Sequence, residues 1–323
     1  RPFYDWTLNR LKELGIFTAP LPHQYEFARL NMSYIVTSKR KLLQLVKDGH
    51  VKGWDDPRMP TIAGLRRRGY TASALRLFCE RTGVSKSNSR IDYSLLDQAL
   101  REDQDPVALR SVAILDPLKL VITNFPENHV EPCHAPRNPH SPDAGMREFG
   151  LTREVWIERE DFAEVPPKKY FRLFPGNSVR LKYGYVVTCT GCVKDAEGNI
   201  IEVHAEYNSD TKSGTPGSDA VKVKGNVTWI STAQAVSAEI RLYDRLFSEP
   251  FPDAGDNDFL NCLNPQSVQV VRAFLEPGTA LTPGVVTQFE RLGYFVVDST
   301  DSSPNAPVFN RVTTLKDTWA AAT

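Results

Sequence analysis

At 323 residues the chain is long enough for two or three domains with cores of their own. Its 39 Lys and Arg balance 39 Asp and Glu, so no global field announces a nucleic-acid partner, and any such partner would have to be held by local patches. There is no run of 18 or more apolar residues and no signal peptide, and five cysteines are an odd number for a secreted disulfide framework, so a cytoplasmic setting is expected.

Tyr4, Leu8 and Leu11 recur at the one-face spacing of a helix. Because the sequence opens at Arg1 inside this helix, with no initiator Met, it reads as a fragment of a longer protein. A hydrophobic run from Leu30 ends in Thr37-Ser38-Lys39-Arg40-Lys41. Two hydroxyls followed by three cations suit a phosphate clamp, although a solvated basic turn has the same composition. From Leu42 to about Asp103 the signals stay helical. Thr61 and Thr71 are N-cap candidates, Gly69 and Gly83 are stops, and Leu75, Phe78 and Cys79 share a face. Leu96, Ala99 and Leu100 repeat the pattern in a third helix, while Arg66-Arg67-Arg68 fits either a phosphate contact or a solvated face.

At Arg101-Glu-Asp-Gln-Asp-Pro106 the hydrophobic period changes from helical to alternating, which marks a domain boundary. Strand candidates follow at 111–115, 119–125, 154–158, 179–188, 200–207, 226–231 and 238–243, separated by turn residues such as Pro175-Gly176-Asn177 and Glu197-Gly198-Asn199. Many short strands with few helices imply antiparallel barrels or sandwiches. The proline-rich stretch from Glu127 to Gly150 reads as a long loop, functional or mobile. Trp54, Trp156 and Trp229 are assigned to the core. Cys189-Thr-Gly-Cys192, with Cys133 and His134 upstream, lacks a second close ligand pair and sits on a strand, so it makes a poor zinc knuckle. Between Val165 and Tyr185 lie Lys168, Lys169, Arg172, Arg180 and Lys182, five aromatics and no acid. That mixture suits single-stranded RNA, with cations along phosphates and aromatic faces under bases; Arg180 and Lys182, two apart, share a strand face.

The order Gln24-Tyr25-Glu26-Phe27-Ala28-Arg29-Leu30-Asn31, Tyr34 and Thr37-Ser38-Lys39-Arg40-Lys41-Leu42 resembles the second signature of class I aminoacyl-tRNA synthetases. Gly53-Trp54-Asp55-Asp56-Pro57-Arg58-Met59-Pro60-Thr61 and Gly64-Leu65-Arg66-Arg67-Arg68-Gly69-Tyr70 resemble the glutamyl/glutaminyl branch, and the likeness to the glutaminyl-tRNA synthetases runs along essentially the whole chain. It departs at Thr37, where the family usually has Met.

The resemblance implies a multidomain α+β chain. Residues 1–45 would be the C-terminal end of the catalytic domain, 46–105 an α-helical connecting subdomain, and 106–323 two tandem antiparallel β-barrels that bind the anticodon. Thr37, Ser38, Lys39 and Arg40 would hold the ATP phosphates, with Lys39 stabilising charge as pyrophosphate leaves. Arg110, Gln288 and Arg291 would meet at the middle anticodon base, Arg291 also as a buttress; Arg172, Arg180 and Lys182 would handle the outer bases and their phosphates. ATP would be a substrate, with Mg2+ accompanying it in the full-length enzyme, and tRNA(Gln) would be the partner of a monomer that meets no membrane. No His-x-Gly-His, G-x-x-x-x-G-K-[ST] or G-x-S-x-G occurs. Glutamine and the adenine of ATP are therefore expected to bind mainly in a part upstream of Arg1, and the fragment alone should be inactive. Two alternatives remain: a glutamyl-tRNA synthetase of archaeal or eukaryotic type, and a non-catalytic RNA-binding protein built from the same barrel.

Overall fold

The computed structural model describes residues 1–255 and 257–316. The first third is helical: α1 (Pro2–Glu13), α2 (Lys39–Lys47), α3 (Ile62–Arg68), α4 (Ala72–Thr82) and α5 (Tyr93–Gln104), with β1 (Asn31–Met32) and β2 (Arg90–Ile91) paired in parallel. The caps follow residue chemistry. Thr61 Oγ1 accepts from Gly64 N at 2.9 Å and Thr71 Oγ1 from Ala74 N at 3.1 Å, each satisfying an N–H that the first helical turn leaves over. α3 stops at Gly69, whose φ of +99° suits glycine and whose missing Cβ would lie 2.9 Å from Val312 Cγ2. On α4, Ala74 and Phe78 are buried, while Cys79 faces outward instead of sharing that face. Among the described residues no helix is long and apolar enough to cross a membrane.

The remaining strands are β3 (Leu109–Ser111), β4 (Ala113–Ile114), β5 (Pro117–Ile122), β6 (Glu131–Pro136), β7 (Met146–Leu151), β8 (Glu154–Glu158), β9 (Ser178–Leu181), β10 (Val186–Lys194), β11 (Ile200–Asn208), β12 (Asn226–Val227) and β13 (Trp229–Ser231). They continue as β14 (Val236–Tyr243), β15 (Val268–Leu275), β16 (Val286–Phe289), β17 (Gly293–Val297) and β18 (Val308–Thr314). One seven-stranded sheet runs β12-β9-β10-β11-β5-β8-β13 and the other β3-β16-β17-β18-β14-β15-β4. The two edges of the first sheet, β12 and β13, are separated by Thr228 alone, and those of the second, β3 and β4, by Val112 alone. One short segment therefore joins both edges of each sheet, which curls it into a nearly closed barrel and removes its open edges.

Both barrels share one pairing pattern. From the closing segment onward it is parallel, antiparallel, antiparallel, parallel, antiparallel, antiparallel, so neither is wholly antiparallel, as the alternation alone suggests. Nor are they strictly in tandem. The chain makes two like passes, and the opening segment of each closes the other's barrel: β3–β4 closes the sheet of β14–β18, and β12–β13 that of β5–β11. The closers meet in a small cluster of Val112, Ile114 and Ile230, flanked by Trp156 stacked on Phe274 at 5.1 Å and 7°. Trp156 thus lies at the junction of the barrels, Trp229 is in the first core, and Trp54 is 39% exposed, outside any core.

Three further stretches differ from the pattern reading. Residues 127–150 hold the hairpin β6–β7. The run 179–188 is two strands, because Tyr183 takes φ +64° and reverses the chain. Strands β15 to β18 escaped detection. Cys189 and Cys192 are free thiols on β10, burial pushes the Cys133 thiol up to about 11, and among the described residues no group of three His, Cys, Asp or Glu could hold a metal.

The helices pack on the second barrel through Tyr70, Phe78, Leu96 and Leu100 against Tyr294, Val296 and Val312. Two arginines of the basic run reinforce this contact and face neither water nor a partner. Arg67 grips Asp298 through two bonds of 3.0 and 3.2 Å and also reaches Asp55 and Asp301, while buried Arg68 donates to Tyr243 O at 3.4 Å. Asp298 is buried, which alone would raise its pKa, but Arg67 and its other donors hold it at about 2.

If each barrel is closed by the other pass of the chain, Ile114→Ala should cost about 2 to 5 kcal/mol and loosen both barrels. Amide exchange should then accelerate by a common factor in β10 and β17; acceleration confined to β17 would show that the barrels open independently.

Candidate nucleic-acid interface

The seam between the barrels is organised by the turn that joins β16 to β17. Arg291, at φ +70°, donates to both oxygens of Asp161 at 2.6 and 2.9 Å, to Thr228 Oγ1 at 3.3 Å and to Glu160 at 3.1 Å. Asp161 is fully buried in the short 3-10 turn after β8, and Arg172 Nε lies 3.3 Å from the same carboxylate. The preceding residue works in the opposite sense. Glu290 accepts from Arg147 at 2.6 Å, from Lys182 at 2.5 Å and from Tyr183 OH at 3.2 Å. Arg147, itself buried on β7, also pairs with Glu276, whose pKa burial raises even though Arg147 opposes the shift. For Arg291 burial would lower the pKa, but the Asp161 carboxylate outweighs it and the net shift is upward. Of the predicted residues, Arg172, Lys182 and Arg291 therefore converge on one seam.

Arg110 and Gln288, remote in sequence, are register partners on the parallel strands β3 and β16, and Gln288 is opposite Tyr294 on β17. Arg110, Gln288 and Tyr294 thus form one cross-strand row. Arg110 is buried, and its guanidinium donates to Ala108 O at 2.9 Å, Asp105 O at 3.1 Å and Asp105 Oδ1 at 2.6 Å. Tyr294 OH donates to the same Asp105 oxygen at 3.1 Å, and burial, with Asp105 beside it, pushes the phenol up to about 12. Gln288 is partly buried, and its amide has no hydrogen-bond partner among the described residues. Two residues from the β6–β7 connection complete the row. Asn138 Nδ2 binds Pro106 O at 3.0 Å and Ala108 O at 3.1 Å, and His140 Nε2 is 3.3 Å from Asp105 Oδ2. Reading 127–150 as an open loop hid both, although Asn138-Pro139-His140 is the kind of turn that delivers side chains.

The cationic and aromatic stretch divides between core and surface. Tyr185 is buried and Tyr183 packs on the first core, whereas Phe171 is 49% exposed. A cavity of about 500 Å³ is lined by Lys169, Tyr170, Phe171, Arg172, Lys224 and Arg291 together with Glu160 and Asp161. Arg180 points elsewhere: it donates to Thr211 O at 2.6 Å and Ser218 O at 2.7 Å, fastening the segment that follows β11. Alternation does put Arg180 and Lys182 outward, with Val179 and Leu181 fully buried, but the two serve different partners.

The basic loop forms the start of α2. Ser38 is its N-cap residue, with the carbonyl accepting from Leu42 N at 2.9 Å, and Lys39 is the first helical residue. A helix N-terminus is positive by its unpaired N–H groups, and this first turn holds no acid, so the site attracts anions twice over. Lys39 and Arg40 are exposed, and their side chains make no hydrogen bond or ion pair among the described residues. Lys41 instead lies 3.8 Å from Asp253 and over the ring of Phe259. Thr37 lines an adjoining cavity of about 360 Å³ with Arg29, Asn31, Arg90 and Phe251.

Comparison with known proteins bears on this arrangement. Residues 1–103 match the family described as tRNA synthetases class I (E and Q), catalytic domain, and residues 108–208 and 226–298 match two families described as the anti-codon binding domain of the same synthetases. A glutamine–tRNA ligase of Bordetella avium is 73% identical over 321 residues, covering 99% of this chain and 55% of the relative. Those of Bordetella pertussis (70% over 322 residues, 100% and 55%) and Ralstonia pickettii (63% over 320 residues, 99% and 56%) are also similar. The chain spans about half the length of the curated relatives it matches.

Removing Arg291 would leave the buried Asp161 facing Arg172 alone. Arg291→Ala should therefore lower unfolding free energy by about 3 to 5 kcal/mol in urea titration without RNA. Arg291→Lys should recover only part of this, because an ammonium cannot span both carboxylate oxygens. A wild-type midpoint for Arg291→Ala would mean that the pair does not hold the seam.

Proposed function

Because the chain belongs to the glutamate and glutamine branch of the class I tRNA synthetases, we propose that it forms part of a glutamine–tRNA ligase. In that enzyme the interlocked barrels would select tRNA(Gln) by its anticodon, and the loop at the start of α2 would serve ATP. Glutamine is preferred to glutamate because the relatives at 70 to 73% identity are named glutamine–tRNA ligases. The observation that carries the anticodon reading is the register pairing of Arg110 with Gln288, beside a seam that also gathers Arg172, Lys182 and Arg291.

In this reading the row of Arg110 and Gln288 meets the middle anticodon base. Asp105 and Ala108 fix the guanidinium plane, and the unpartnered amide of Gln288 offers both a donor and an acceptor. Uracil, with two carbonyl oxygens and a ring N–H, can satisfy both side chains. Cytosine exchanges an acceptor for a donor and would leave groups unpaired. Arg172 and Lys182 address neighbouring bases and phosphates, Arg291 acts chiefly as the buttress its contacts describe, and Arg180 contributes through the segment it fastens. Lys182, a point charge already on Glu290, is suited to steering phosphate and not to bidentate reading of a base.

At α2, Ser38 and Thr37 would approach the ATP phosphates while Lys39 and Arg40 neutralise them. Lys39 acts through charge that is needed most as pyrophosphate departs, and it transfers no proton. ATP would bring its own Mg2+; no residue of this chain is assigned to the metal, since the described residues hold no cluster fit to bind it. A non-catalytic RNA-binding role leaves the free Lys39 and Arg40 at a helix N-terminus without a use.

Two measurements test this reading in a full-length enzyme containing this chain. Lys39→Ala should raise the activation barrier by about 2 to 4 kcal/mol, read as glutamine-dependent pyrophosphate exchange; an unchanged rate removes Lys39 from the reaction. Arg110→Ala and Gln288→Ala should each shrink the roughly 1 to 3 kcal/mol preference for uracil over cytosine at the middle position. In the double mutant the losses should overlap, and additive losses in kcat/KM would place the two residues in separate pockets.

A further inference from the structure

Arg245, two residues beyond β14, has no part in the sites described above. It is buried, and its guanidinium lies 4.2 Å from the ring centroid of Tyr34 and 5.4 Å from that of Tyr93. Both rings are buried as well, so the cation meets their π-faces away from water, where such contacts are strongest. The stack joins three segments remote in sequence: the one ahead of the basic loop, the start of α5 and the end of β14.

Tyr34 is fixed from several sides. Its φ is +60°, a left-handed conformation that a bulky residue keeps only when its surroundings impose it, and its N–H donates to Pro250 O at 2.8 Å. On the preceding residue, Ser33 N donates to Ile91 O at 3.0 Å, while Ser33 Oγ donates to Asp92 Oδ2 at 3.1 Å and accepts from Tyr93 N at 3.0 Å. Asp92 is the N-cap of α5, so Ser33 and Tyr34 are locked to that helix and to Arg245 together. Val36 then enters a different core, with Leu42 and Leu45 of α2. Thr37 and Lys39 follow after a stretch too short for slack, so the way Tyr34 is turned sets where the exposed loop begins.

We propose that Arg245 is a positioning residue for the activation step: by stacking on Tyr34 it fixes the turn ahead of the basic loop, so that Lys39 stands where charge develops as pyrophosphate leaves. The inference rests on the reading that this loop serves ATP, and it adds to that reading a residue that touches no substrate. A planar guanidinium covers a ring face that an ammonium meets only as a point, so lysine at this position would leave Tyr34 loose. Because the charge of Lys39 is needed most in the transition state, a displaced loop slows the reaction without weakening ATP binding to match.

The test uses a full-length enzyme containing this chain, with glutamine-dependent pyrophosphate exchange expressed per active site. Arg245→Lys, which keeps the charge, and Tyr34→Leu, which removes the ring, should each lower kcat by about 10- to 100-fold, the scale for a reacting geometry displaced by about 1 Å. KM for ATP should move by less than about threefold, because the interaction lost is one made in the transition state. Tyr34→Phe keeps the ring and should stay close to wild type. Added to Lys39→Ala, either damaging variant should cost little more, since the group it positions is already gone. Wild-type kcat in both Arg245→Lys and Tyr34→Leu, a rise in KM for ATP with kcat unchanged, or losses that multiply with that of Lys39→Ala would each overturn the proposal. Where Arg245→Lys fails to fold, the two Tyr34 variants decide it. If Lys39→Ala itself leaves the rate unchanged, the ATP reading of the loop fails and this inference falls with it. If Lys39→Ala slows exchange and the Arg245 and Tyr34 variants do not, only this inference is refuted.

Discussion

Two oppositely charged neighbours, Glu290 and Arg291, set the geometry on which the rest of the molecule depends. Both come from the turn between β16 and β17 of the second barrel, and each is received by the first barrel: Arg291 by Asp161, Glu290 by Arg147 and Lys182. Buried ion pairs contribute little net stability, since desolvation offsets much of the attraction, but they tolerate few arrangements. A greasy seam would allow the barrels to slide. This one fixes their relative position to the length of a hydrogen bond, which is what a surface needs if it is to read bases with residues from both.

The exchange of closing segments makes the same demand on the chain as a whole. Because β3–β4 and β12–β13 each complete the sheet formed by the other pass, neither barrel has a finished edge without its neighbour. The cluster of Val112, Ile114 and Ile230 then lies where the two closers cross. Apolar packing at that crossing and charge at the seam are complementary: the first holds the barrels together, and the second sets their angle.

The second barrel also carries the helical part. Arg67 on Asp298 and the contact of Tyr70 and Leu100 with Tyr294 and Val312 dock α3 to α5, while Val36, Leu42 and Leu45 around the basic loop pack on Leu246, Phe247 and Phe259 from the segment after β14. The loop is thus seated on residues that belong by sequence to the barrel region. A division of labour among cations follows. Arg67, Arg147, Arg180 and Arg291 are committed to carboxylates or carbonyls and act as braces, whereas Lys39, Arg40 and Lys222 stand exposed without such partners among the described residues and remain available to phosphate.

The elements governed by near neighbours in sequence were legible without coordinates. The caps at Thr61 and Thr71, the stop at Gly69, the buried faces around Phe78 and Leu100, and the alternation of Val179 and Leu181 depend on residues within a turn or two, and they are where the pattern put them. The resemblance carried family membership and the pairing of Arg110 with Gln288, which no periodicity could disclose. What the sequence could not decide was the allocation of charge. Arg66-Arg67-Arg68 and Arg180 look like candidates for RNA until Asp298, Tyr243 O, Thr211 O and Ser218 O are seen to occupy most of them. Strand exchange was equally invisible: the closing segments overlap the strand candidates at 111–115 and 226–231, but a strand's pattern does not say which sheet it will complete. In each case the partner lies tens to hundreds of residues away, and a side chain's charge or shape names the kind of partner it needs without saying which one the fold will bring.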